Sequence, residues 1–242
     1  MKRLNWFEQL LVALLLFCDM TYAMAEVRES RLPGEAAQLL PILDNEITNY
    51  WPDLSPRAFP AGVIDQESNW KTKATLRTSR EWGCGLGQFT VAYNADGSVR
   101  FDALAETARL DKSLKDWNWK DCSNYQFQLR GVVLKLKVNE RSCGALLTGN
   151  LNIKACGSAM NNGGAGSVNK RIRFCRADPD CNPREWFNNL ERMCPQSNVK
   201  VAGYGESFCD INSKYPGRVF ARLPKFRGVW PDDEKFQIPT PK

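Results

Sequence analysis

The chain has 242 residues, 43% of them hydrophobic, with a formal net charge of +6, nine cysteines and no histidine. That length and apolar content suit a single domain with a real core. The missing imidazole excludes the usual forms of Ser-His-Asp and Cys-His catalysis and of His-ligated zinc hydrolysis, so in any enzyme the proton transfers fall to carboxylates, lysine or tyrosine.

The first 25 residues read as a secretory signal. Lys2 and Arg3 make a basic start, Leu10 to Phe17 is an apolar run too short to span a bilayer comfortably, and Ala23 and Ala25 form an A-x-A site. Removing this segment takes away Lys2, Arg3, Glu8 and Asp19 and leaves the net charge unchanged. It also removes Cys18. The remaining eight cysteines, Cys84, Cys122, Cys143, Cys156, Cys175, Cys181, Cys194 and Cys209, are an even set and read as up to four disulfides in an oxidising compartment, periplasmic or extracellular. No two have C-x-x-C spacing, which argues against zinc. The basic excess favours an anionic envelope surface, while the scatter of the basic residues speaks against nucleic acid. If the signal is retained, Leu10 to Ala23 becomes an inner-membrane tether and Cys18 is available for thiol exchange.

Residues 26–242 read as one domain. Glu35 to Tyr50 has helical spacing, with Pro41 expected to kink or split it. Trp51 to Phe59 reads as a connection, and Pro60 suits the first turn of a helix that places Val63, Ile64, Glu67 and Trp70 on one face. A glutamate on an apolar stripe is partly desolvated, which raises its pKa and suits it to general-acid work. Asp96-Gly97 signals a hairpin. Phe101 to Trp117 is helix-like, and Asn124 to Val138 reads as a buried helix interrupted at Gly131. Leu146 to Met160 leads into a loop from Asn161 to Gly166. Pro183 to Met193 and Ile211 to Leu223 are expected as further helices, and the tail from about Pro224 as extended or loose.

Three blocks carry a family likeness. Glu67-Ser68-Asn69-Trp70, then Ser79, then Gly85-Leu86-Gly87-Gln88 resembles the E-S-x-[FW] … S … G-L-M-Q signature of soluble lytic transglycosylases, lysozyme-like enzymes that cut bacterial peptidoglycan. Asn162 to Val168 is similar to the family's Y-N-[AG]-G-x-G-x-V, and Tyr215 to Val219 to its closing Y-x-x-x-V. The stretch between Glu67 and Ser79 is longer than usual, Gly87 replaces a methionine, and Asn161 replaces the tyrosine before Asn162. The cysteine density suggests an exported phage or prophage member of the endolysin type, or another specialised member.

The resemblance implies a mainly α, lysozyme-like fold with at most a small hairpin, stabilised here by disulfides. It implies a monomer that acts on peptidoglycan glycan strands without cofactor or metal. Glu67 would be the one catalytic residue, acid and then base, cleaving the β-1,4 bond between N-acetylmuramic acid and N-acetylglucosamine and leaving 1,6-anhydromuramic ends. Ser68, Ser79, Gly85, Leu86, Gln88, Phe89, Asn162 and Tyr215 would contact or orient the substrate. Two alternatives stay open. A muramidase would add a second carboxylate from Glu81, Asp96 or Asp102 and yield reducing ends. A wall-binding domain on the same fold would cleave nothing.

Overall fold

The helix that carries Glu67 is buried along nearly its whole length, and the other elements are arranged around it. The computed structural model describes residues 32–200, 205–231 and 233. The expected signal and Cys18 lie outside them. Pro33 onward forms one compact unit.

Helix α1 spans Ala36–Tyr50 and buries Leu39, Leu40, Leu43 and Ile47. It runs through Pro41 as one helix, so the proline does not split it. Pro41 sits on the solvent side, and the carbonyl its missing N–H leaves unbonded belongs to Ala37, also exposed. Helix α2, Phe59–Ser68, has Pro60 in its first turn as expected and buries every residue from Phe59 to Asp65. It ends at Asn69, whose left-handed conformation (φ 51°) is followed by a second positive φ at Trp70. Trp70 is therefore off the helix, and its indole packs on Phe226 instead of extending the stripe of Val63 and Ile64.

A four-stranded antiparallel meander follows, β1 (Thr75–Arg77), β2 (Glu81–Cys84), β3 (Phe89–Tyr93) and β4 (Val99–Asp102). The β3–β4 turn is the hairpin expected at Asp96-Gly97, with Gly97 at φ +83°. The rest of the sheet exceeds the single hairpin read from sequence. β1 is exposed at all three residues and β4 at three of four, so neither shows apolar alternation.

The helix expected over Phe101 to Trp117 is cut into pieces by its own aspartates. Asp102 ends β4 and caps the short helix α3 (Ala103–Ala108) by accepting from Ala105 N, and Asp111 caps a 3₁₀ turn at Lys112–Leu114. Helix α4, Tyr125–Gly144, starts at the cap Asn124 and continues through Gly131. A Cβ at Gly131 would lie 2.8 Å from the Trp117 ring, so this glycine permits close packing rather than breaking the helix.

Helix α5, Asn150–Arg176, runs through the segment expected as a loop, with one non-helical residue, Gly164 (φ 76°, ψ 160°), as its kink. The expected helix at Pro183 to Met193 is instead a series of turns with a 3₁₀ turn at Leu190–Arg192. Its carbonyls find another partner: the buried Arg171 guanidinium donates to Leu190 O and Glu191 O at 3.1 and 3.0 Å and to Ser213 Oγ. Burial lowers the Arg171 pKa to about 10. Helix α6, Phe208–Phe220, opens on a Ser207/Asp210 capping box.

The tail is packed well beyond Pro224. Leu223–Phe226 forms a 3₁₀ turn, Phe226 is fully buried, Trp230 Nε1 donates to Asp44, and Asp233 accepts from Arg57 N and Ala58 N at 2.7 Å each. Four disulfides, Cys84–Cys122, Cys143–Cys156, Cys175–Cys181 and Cys194–Cys209, use all eight expected cysteines. They are bonds of an oxidising compartment. Among the described residues no helix is long and apolar enough to cross a membrane.

Phe226→Ala should cost about 3–5 kcal/mol in urea unfolding. A loose tail would instead give a change within about 0.5 kcal/mol.

Candidate active site

The C-terminal end of α2 opens into a cleft of about 970 Å³ that also receives side chains from the sheet, α4, α5 and α6. Glu67 stands in its wall. Its Oε1 accepts from Tyr215 Oη, in α6, and from Asn161 Nδ2, in α5, the latter at 3.3 Å. Both donors converge on one oxygen, and Oε2 has no protein partner among the described residues.

Enclosure by protein raises the Glu67 pKa above its ordinary value of 4.5, because desolvation outweighs Tyr215, Lys135 and Asn161, which all favour the charged form. Tyr215 is buried and held well above its ordinary pKa by desolvation and by the neighbouring carboxylate, so it stays a donor. Lys135, on α4, lines the same cleft. Burial holds its pKa down against the opposing pull of Glu67 and Glu106.

The residues expected at the site divide into three groups. Glu67, Tyr215, Gln88, Ser68 and Asn162 are brought to the cleft or to its carboxyl group. Their roles are not all those expected. Ser68 Oγ donates back to Ile64 O and does not orient Glu67. Asn162 lines the cleft, but its neighbour Asn161 bonds the acid, because the helical stretch before the Gly164 kink turns that side chain inward. Gln88 is anchored by its Nε2, which donates to Gly85 O and Ala74 O at 2.9 and 3.2 Å.

Gly85, Leu86 and Phe89 lie behind the cleft wall. Gly85 (φ +77°) leaves room for the Gln128 side chain, whose Oε1 accepts from Leu86 N at 2.6 Å. Leu86 and Phe89 are core residues, the latter edge-on to Trp117 at 4.7 Å. They position the turn rather than touch a ligand.

Ser79 belongs to neither group. It is exposed in the β1–β2 connection and borders a separate hollow of about 320 Å³. The extra length between Glu67 and Ser79 is used to build that hairpin, which carries Ser79 away from the acid.

Of the three possible second carboxylates, only Glu81 lines the cleft, paired with Arg100 at 3.0 Å. Asp96 is tied to Ser98 in the hairpin turn. Asp102 caps α3 and accepts from Trp119 Nε1. Sequence reasoning missed Asp65, which is nearly fully buried in the cleft wall and paired with Lys225 and Arg222 at 2.6 and 3.3 Å. It also missed Lys135, although a lysine amid the buried Val132, Val133, Leu134 and Leu136 was a readable signal. Among the described residues no group of three or more Cys, Asp or Glu side chains is placed to hold a metal ion.

Compared with protein-family profiles and with curated proteins, the chain matches none.

The raised pKa of Glu67 has a sign for stability. Its folded-state pKa lies above the unfolded value, so the wild type loses stability relative to a neutral isostere as pH rises through the folded pKa. Glu67→Gln should melt with the wild type below about pH 4 and above it at neutral pH, a gap worth about 2–4 °C per kcal/mol in thermal scans.

Proposed function

We propose that this chain is a peptidoglycan-cleaving enzyme of the lytic transglycosylase type, with Glu67 as its single acid and base. The observation that carries the reading is one desolvated carboxyl group on the wall of a long cleft, held through Oε1 by Tyr215 and Asn161, with Oε2 left for the reacting proton. The order of the three sequence blocks agrees, since each supplies a residue at that carboxyl group or beside it.

The chemistry then needs little else. Desolvation raises the Glu67 pKa and so favours the protonated form that the first step uses. Oε2 delivers its proton to the glycosidic oxygen as the bond to C1 of the muramic residue breaks. The new carboxylate is stabilised by the Tyr215 and Asn161 donors and by the Lys135 charge. It then removes the proton from the C6 hydroxyl of the same residue, whose oxygen closes on C1. No water is consumed, and Glu67 returns to its protonated form. Gln88 and Asn162, both on the cleft surface, are placed to contact the sugar N-acetyl and hydroxyl groups.

A muramidase is the second reading, favoured by Glu81 on the same cleft. Its pairing with Arg100 counts against it, since a base or nucleophile must leave that partner.

Muropeptides released from purified peptidoglycan, resolved by mass spectrometry, decide between them. Anhydromuramic ends that fall about 10²–10⁴-fold in Glu67→Gln and persist in Glu81→Gln are the expected result. Reducing ends lost in Glu81→Gln would make the enzyme a hydrolase, and no release from folded, oxidised protein would leave only the wall-binding reading. The alkaline limb of kcat/KM reports loss of the Glu67 proton. Tyr215→Phe removes a donor that favours the carboxylate, so this limb should move to higher pH while the rate falls.

A further inference from the structure

Most of the charged groups that line the cleft have an oppositely charged partner among the described residues. Asp65 holds both Arg222 and Lys225, and Glu81 holds Arg100. Glu67 is bonded by two neutral donors, Tyr215 and Asn161, and not by a cation. Lys71 lines the rim and is exposed. Lys135 is different: it is half-buried on α4, it shares the cleft with Glu67, and among the described residues no carboxylate lies within ion-pair distance of it. Among the described residues its ammonium lies 5.7 Å from the centre of the buried Phe89 ring.

A half-buried cation without a counter-ion is costly, and a structural lysine would be expected to reach solvent or a carboxylate. The buried Lys154 on the neighbouring helix follows that rule, pairing with Glu140 at 2.7 Å. Glu106 is near enough to Lys135 to act on it at a distance but is exposed to solvent, and Glu67 is better satisfied by Tyr215 and Asn161. The missing anion has space to arrive from the cleft itself.

We infer that Lys135 is a specificity residue that receives a carboxylate carried by the sugar next to the scissile bond, so that the cleft prefers acidic glycan over neutral glycan. This rests on the reading of Glu67 as the acid, because that residue fixes which sugar ring lies beside Lys135. On a muramic residue the group in reach is the substituent at O3, a lactyl group. Its carboxylate is free on strands stripped of peptide, whereas on intact strands the carboxylates belong to the stem peptide. An ammonium at this depth gains more from a carboxylate than a surface lysine does, because solvent screens it less. The low dielectric that holds the Lys135 pKa down also strengthens the pair once an anion enters.

Calorimetric binding to the oxidised protein carrying Glu67→Gln tests this with three tetrasaccharides. They are a neutral chitotetraose, a muramic-containing strand with free lactyl carboxylates, and the same strand bearing peptides. The expected result is a preference of about tenfold for acidic over neutral glycan, lost in Lys135→Met and kept in Lys135→Arg. Which acidic strand shows the Lys135-dependent gain tells the lactyl from the peptide carboxylate. A preference that survives Lys135→Met, no preference at all, or equal loss in the Met and Arg variants would overturn the inference. The failure of the enzymatic reading is visible separately. Anhydromuramic release by wild type without a Lys135-dependent preference sinks only this inference, whereas the preference without release would overturn the enzymatic reading and leave Lys135 as a carboxylate-binding residue of a wall-binding protein.

Discussion

Everything at the cleft depends on one carboxyl group being taken partly out of water and held there by two neutral donors. Asn161 and Tyr215 lie 94 and 148 residues beyond Glu67 in the chain, so the contact joins the central helix to both of the helices that close over it. Neutral donors matter. A cation in their place would stabilise the ionised form far more strongly. Lys135, on the same cleft, acts on Glu67 through its charge and lowers the pKa without forming an ion pair among the described residues.

Holding that contact requires stiffness in the elements that bring it together. Gln128 fastens the glycine turn to α4 through Leu86 N and through its own bond to Cys122 O at 2.6 Å, next to the Cys84–Cys122 disulfide. Arg171 gathers the irregular segment before α6, and Cys194–Cys209 ties that segment to the first turn of α6 itself. The Ser207/Asp210 box fixes where the helix begins, which sets the rotation that turns Tyr215 inward. Each link is local and modest; together they leave the tyrosine little freedom to leave the carboxyl group.

Local chemistry was the legible part of the sequence. Pro60, the Asp96-Gly97 turn and the even cysteine set each act through neighbours in the chain, and each was found where expected. So was Glu67, because an acid among Val63, Ile64 and other apolar residues is visible as a pattern. The errors came where tertiary packing overrode a local preference. Gly131 reads as an interruption until Trp117 is seen against it, and Asn161 to Gly166 reads as a loop until it is found inside a helix with one kinked residue. The same reading gave no reason to expect Asn161 at the acid, since a loop does not fix which side chain turns inward. Ser79 failed for a different reason: a motif spacing was trusted across an insertion that the fold spends on a hairpin.

The cap on α2 bears on how such a chain is made. The first free N–H groups before that helix are bonded by Asp233, 175 positions further on, and the aromatic floor under its end is Phe226. Contacts of that sequence separation form late and slow the search for the native state. A chain still emerging from a ribosome or a translocation pore therefore holds its acid on an uncapped helix over a missing floor. The cleft reaches its working shape only when the segment holding Phe226 and Asp233 has joined the residues around Ala58 and Trp70.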